Sequence, residues 1–161
     1  MTEPPADILR RLRPIPTYTD HPSTTPHDVN GVRPDGTPCR IDVVEAAAPI
    51  LFLFLSAGCL GCRDLWEGLP ELQDGLAGAA RLAVVTRSPG EESPEAVTAL
   101  AGDAPATRGI DLVMSSQAYR DYRVGGPPFL TLAAADRVHT ESVAWGMEQT
   151  LRTALDALRE G

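Results

Sequence analysis

Ile50-Leu51-Phe52-Leu53-Phe54-Leu55 is an unbroken apolar run, preceded by Pro49 and followed by Ser56-Ala57-Gly58. It is too short to cross a bilayer and too continuous for a strand with one wet face. It predicts a strand buried on both faces, at the centre of a sheet covered from either side. Leu65, Leu69, Leu72 and Leu76 then recur at helical steps and predict one helix from Leu60 to about Ala77. Arg81–Thr86 and Ile110–Met114 read as further strands, and Ser116–Tyr122 as a short helix. Between those strands, Ser93-Pro94-Glu95 predicts a helix start with Ser93 as N-cap and Pro94 in the first turn. Phe129–Ala133 and Val138–Val143 flank Asp136-Arg137 and predict an antiparallel hairpin. Met147–Leu158 follows as an amphipathic helix with Leu151, Ala154, Leu155 and Leu158 on one face. Ahead of the run, Gly31–Val44 predicts a small hairpin turning at Pro34-Asp35-Gly36. The expected fold class is α/β, a mixed central sheet with helices on both faces and an added N-terminal β-hairpin. Residues 1–30, rich in proline, are expected to form a flexible lead-in, and residues 31–161 a single domain.

Charge and composition narrow the function classes. The formal net charge is -8, and Arg is the sole basic residue type apart from histidine, with no cluster suited to phosphates. With aromatic residues at 5%, there is also no platform on which bases would stack, so nucleic acid is not an expected partner. No membrane span is expected. The opening residues carry an acid early and no apolar core of a secretory signal, so the expected location is the cytoplasm. Three cysteines do not make a secreted disulfide framework.

Cys59-Leu60-Gly61-Cys62 falls where the buried strand ends and the helix begins. Free backbone N–H groups in a helix's first turn favour a thiolate, the form that attacks disulfides. Cys59, nearer solvent, is the expected nucleophile, and Cys62, one turn further in, the resolving thiol. Arg63 would assist the thiolate while Asp64 and Glu67 oppose it. Other readings remain open. The pair could be an inert disulfide, or Cys39, Cys59 and Cys62 with one of His21, His27 or His139 could hold zinc. Cys39 is expected to be a passive thiol in the edge hairpin. Trp66 and Trp145 could border the cysteines, with Trp66 equally suited to the core. Val124-Gly125-Gly126-Pro127-Pro128-Phe129, just before the last hairpin, is by itself a turn.

The strand–C-x-x-C–helix start, at Leu53 to Arg63, and Val124 to Leu130 together resemble the thioredoxin superfamily. Within it the chain is similar to the TlpA-like disulfide reductases, including those of methylamine-utilisation type, over about residues 31 to 160. The resemblance implies a thioredoxin-like fold and a proline, Pro128, that is cis and packs beside the cysteines. Gly126, Pro127 and Pro128 would form the edge that meets a substrate, with Leu60, Gly61, Arg63 and Trp66 neighbouring the pair. It implies dithiol–disulfide exchange on protein or small-molecule disulfides, a thiol reductant that recycles the pair, and neither cofactor nor metal. The alternative is a thioredoxin-fold binding or chaperone-like module without turnover. Departures are also visible. Gly58 replaces the family's Trp, and Leu53 and Leu65 stand where relatives bury an acid, leaving water or Glu67 to move the Cys62 proton. Pro127 lacks the N–H usually offered to a bound peptide. Peroxiredoxins share the fold; Ser56 matches the spacing of their Thr, but Phe52 replaces their proline.

Overall fold

The computed structural model describes residues 25–160. The expected lead-in ahead of residue 25, including His21, lies outside them. Strands β1 (Val29–Val32) and β2 (Pro38–Ile41) form the N-terminal hairpin, and the apolar run forms β3 (Ile50–Phe54). A 3-10 turn (Leu60–Cys62), α1 (Arg63–Glu67) and α2 (Leu69–Leu76) lead to β4 (Arg81–Thr86). Then come α3 (Pro94–Ala101), α4 (Ala104–Arg108), β5 (Asp111–Met114), α5 (Ser116–Asp121), β6 (Phe129–Ala133), β7 (Val138–Val143) and α6 (Met147–Glu160).

The strands make one seven-stranded sheet in the order β2-β1-β5-β4-β3-β6-β7. Strand β3 pairs parallel with β4, Leu53 opposite Val84, and antiparallel with β6, Leu53 opposite Leu130. All of β3 is buried, and its alternation divides the core. Leu51, Leu53 and Leu55 face α1–α4 and α6, meeting Leu65, Trp66, Leu69, Leu72, Val97, Ala104 and Ala154. Ile50, Phe52 and Phe54 face the other way, against Ala118 and Tyr119 of α5, Tyr122 and Phe129. Helices therefore cover both faces, but unequally among the described residues. The single short helix of the second face is supplemented by an aromatic cluster in which Tyr119 meets Phe54 edge-on at 5.0 Å between ring centroids.

The N-terminal hairpin begins at Val29, ahead of the expected Gly31. Asp28 accepts hydrogen bonds from the N–H groups of Val43 and Val44, and Tyr122 Oη accepts one from His27 N–H at 2.9 Å. Gly31 is required where β1 meets β5, since a Cβ there would lie 2.3 Å from the Met114 carbonyl oxygen. The single helix expected from Leu60 to about Ala77 is in fact broken at Gly68. Pro70 has no N–H to donate, and its ring would meet the carbonyl of Trp66 if the helix ran on. The break also seats α6, because a Cβ on Gly68 would lie 2.7 Å from Met147 Cγ. Ser93 caps α3 as expected, accepting from Ala96 N–H at 3.2 Å. Helix α4 has no counterpart among the elements expected from the sequence.

Candidate active site

Leu55 prolongs β3 by donating its N–H to the Val85 carbonyl at 2.9 Å, and the chain then turns at Ser56-Ala57-Gly58. Two contacts tighten this turn. Gly58 N–H donates to Ser56 Oγ at 3.2 Å, and Trp66 Nε1–H to the Ser56 carbonyl at 3.1 Å. Trp66 is thus a core residue, 2% exposed, that tethers the loop carrying the cysteines. Cys59 keeps an extended backbone (φ -95, ψ 116) and precedes the 3-10 turn, whose first bond runs from Cys62 N–H to the Cys59 carbonyl at 3.2 Å. Cys59 is consequently half-buried, whereas Cys62 is fully buried. Cys39, Cys59 and Cys62 are all free thiols.

Burial pushes the Cys62 thiol up to about 12, helped by its hydrogen bond with Cys59 and by the charges of Cys59 and Glu92; the Ser56 N–H works the other way. Glu92 comes from the loop between β4 and α3, and its Oε1 accepts from Ala57 N–H at 3.0 Å. Sequence pattern does not point to it, because the loop's path back to the cysteines is a tertiary feature. Pattern points instead to Arg63, Asp64 and Glu67, which are all exposed. Asp64 Oδ2 accepts from Met147 N–H at 2.9 Å and so satisfies the start of α6. The carboxylate whose charge raises Cys62 is Glu92 rather than Glu67.

Across from the pair, the Cys59 thiol donates to the Pro127 carbonyl at 3.9 Å. The Pro127–Pro128 peptide bond is cis. Gly126, Pro127 and Pro128 are all partly exposed. Gly61 lies between the Pro128 ring and Cys59, since a Cβ there would sit 3.7 Å from Pro128 Cδ and 3.9 Å from Cys59 Sγ. A groove of about 370 Å³ opens beside them, lined among others by Leu60, Gly61, Pro128 and Trp145. Leu60 and Trp145 are 80% and 72% exposed. A larger cleft, about 470 Å³, lies at the opposite end of the parallel strands, lined by Arg33, Thr98 and Asp111 among others.

Among the described residues, the side chains weighed as zinc ligands do not gather into one site, although Cys59 and Cys62 adjoin; His21 lies outside those residues. Cys39 packs with the second-face core and Cys62 with the first, while His139 sits on β7 beside Arg137. Among the described residues, no group of three or more His, Cys, Asp or Glu is placed to hold a metal ion.

No protein-family model and no curated protein matches the sequence. Solved structures do match in shape. The chain is similar to peroxidoxin BcpB from Mycobacterium tuberculosis, with a TM-score of 0.64 and 19% identity over 87% of this chain and 98% of that one. It is similar to a thiol:disulfide interchange protein of the thioredoxin family from Chlorobium tepidum, at 0.61 and 19% over 86% and 99%. A secreted disulfide oxidoreductase from Mycobacterium tuberculosis matches at 0.56 and 12% over 83% and 96%. These likenesses, together with the sheet order and the paired cysteines at the end of β3, establish a thioredoxin-like fold for this chain.

Proposed function

We propose that the protein is a thiol–disulfide reductase of TlpA-like kind, with Cys59 as nucleophile and Cys62 as resolving thiol. The observation that carries this reading is the asymmetry of the pair: a half-exposed Cys59 facing Pro127, and a fully buried Cys62 that burial keeps protonated. The Cys59 thiolate attacks a substrate disulfide, forming a mixed disulfide and expelling one substrate thiolate, which takes up a proton. Cys62 then loses its proton and attacks Cys59 Sγ, so the second substrate thiol leaves and an enzyme disulfide remains. Two electrons pass to the substrate, and an external thiol reductant returns them. The hairpin of β1 and β2, which resembles the N-terminal addition of TlpA-like proteins, and the position of Pro128 next to Gly61 support the TlpA-like assignment. A reductase suits the cytoplasm, and among the described residues no helix is long and apolar enough to cross a membrane.

Equilibration in defined thiol buffers, with alkylated cysteines counted by mass spectrometry, tests the proposal. A reversible two-electron couple near about -270 mV, lost in Cys59→Ser, is expected of a reductase. If no Cys59–Cys62 couple forms, the chain is a binding module with this fold.

The substrate edge is poor in hydrogen-bonding groups. Pro127 and Pro128 have no N–H, and the Pro128 carbonyl already accepts from Ala144 N–H at 3.2 Å. A bound peptide is left the Pro127 carbonyl, and its main hold is the apolar groove of Leu60, Pro128 and Trp145. Pro127→Thr restores one donor and is expected to lower KM for peptide disulfides about 2- to 10-fold, the worth of one hydrogen bond. An unchanged KM in steady-state assays would show that substrates do not use this edge.

A further inference from the structure

The disulfide-exchange reading leaves one step without an agent: a fully buried thiol must lose its proton before it can attack. No acid is buried beside it in β3 or α1, where Leu53 and Leu65 are buried apolar residues. The loop after β4 supplies one. Consecutive N–H groups at the end of β3 hold the two partners: that of Ser56 donates to the Cys62 sulfur, and that of Ala57 to Glu92 Oε1 at 3.0 Å. Successive amides of one turn thus serve a thiol and a carboxylate, and the Glu92 charge is felt at Cys62. Glu92 is itself fixed, its N–H donating to the Ser88 carbonyl at 3.1 Å immediately before the Ser93 cap of α3. Its side chain is half-buried, so the carboxylate held at Ala57 keeps access to solvent.

The structure assigns Glu92 the role of proton acceptor for Cys62, an inference that rests on the disulfide-exchange reading above. In the mixed disulfide, the Cys62 proton passes to the Glu92 carboxylate, directly or through one water. The Cys62 thiolate bonds to Cys59 Sγ, the bond from Cys59 to the substrate sulfur breaks, and that sulfur leaves as a thiolate. Glu92 then returns its proton to solvent or to the leaving thiolate, so atoms and electrons balance. Among the described residues, the other ionisable groups that act on this site are Cys59, Tyr119 and Arg87. Tyr119 is engaged with the Leu55 carbonyl at 3.0 Å, and the Arg87 guanidinium lies 4.5 Å from the Tyr119 ring centre. Neither is placed to accept a proton at neutral pH, since burial holds the Tyr119 phenol protonated and a guanidinium has no free acceptor site.

An acceptor and a mere neighbouring charge predict opposite signs. As a fixed charge, Glu92 disfavours the Cys62 thiolate, so its removal would speed resolution. As the acceptor, its removal slows it. The full-length reduced protein is mixed with 5,5′-dithiobis(2-nitrobenzoate) in a stopped-flow instrument. The first burst of nitrothiobenzoate reports attack by Cys59, and the second reports resolution by Cys62. In Glu92→Gln, which keeps an oxygen for Ala57 N–H, the second phase is expected to fall about 100-fold relative to the first. Its pH profile is expected to lose the carboxylate inflection, and Glu92→Asp to recover part of the rate. A second phase that is faster or unchanged in Glu92→Gln, or both phases slowed alike, overturns the assignment. A wild-type protein that shows only the first phase overturns the disulfide-exchange reading itself.

Discussion

Cys59→Ser is expected to abolish disulfide reduction, lowering turnover of a small disulfide by at least about 1000-fold, because no second thiol can reach the substrate. Cys62 is fully buried, and burial pushes its thiol up to about 12, so at neutral pH it is held in the protonated, unreactive form. It also lies beneath the turn that Trp66 tethers to the core. Cys62→Ser is expected to behave differently. Cys59 still attacks, the mixed disulfide persists, and a stoichiometric adduct accumulates that mass spectrometry detects. The two serine variants thus separate the halves of the reaction, and assays of turnover and adduct on both check the assignment. Equal adduct formation in both variants would remove the distinction between nucleophile and resolving thiol.

That distinction is partly legible in the amino-acid sequence. The continuous run of β3 marks a central strand, because both its faces must be covered, and two cysteines directly after it land at the mouth of the following turn. The last hairpin is equally readable: β6 and β7 keep the boundaries expected of the two segments that flank Asp136-Arg137. Other features resist a one-dimensional reading. The leucines from Leu65 to Leu76 keep helical spacing straight through the break at Gly68, so their period hides what Pro70 does to the backbone. Helix α4 is Ala-Pro-Ala-Thr-Arg, too short and too weakly apolar to have a period. Asp64 looks like a charge opposing the thiolate, yet it binds the backbone of Met147, 83 residues away. Glu92 looks like one more surface acid before a helix cap, and only the return of its loop to Ala57 gives it a place at the cysteines. Charges act through space, so their chemistry is decided by packing that no local pattern records.

Stability is expected to fall steeply as pH rises from about 9 towards about 12, by ~1.4 kcal/mol per pH unit for each proton the folded state retains. Burial raises Cys62 from 9.0 to about 12 and Tyr122 from 10.0 to about 12, and also raises Tyr119 and Cys39. The sign follows from which state holds the protons. Below about 9 both states are protonated and the contribution is complete. Between the unfolded and folded values the unfolded chain has released protons that the native protein still binds, so each further pH unit favours unfolding. Urea midpoints measured under reducing conditions from pH 7 to 11 check this, and a flat profile would contradict the buried placement of these groups. Cys62→Ala is expected to make the decline shallower by one proton without removing it, because Cys39 remains, as do the phenols. Their ionisation undoes specific contacts. A Tyr119 phenolate can no longer donate to the Leu55 carbonyl at the base of the cysteine turn, and a Tyr122 phenolate can no longer donate to the His27 carbonyl that it holds beside β1. In Cys62→Ala, the slope that survives therefore belongs to the second-face core, to its phenols and Cys39, and the slope that is lost belongs to the cysteine pair.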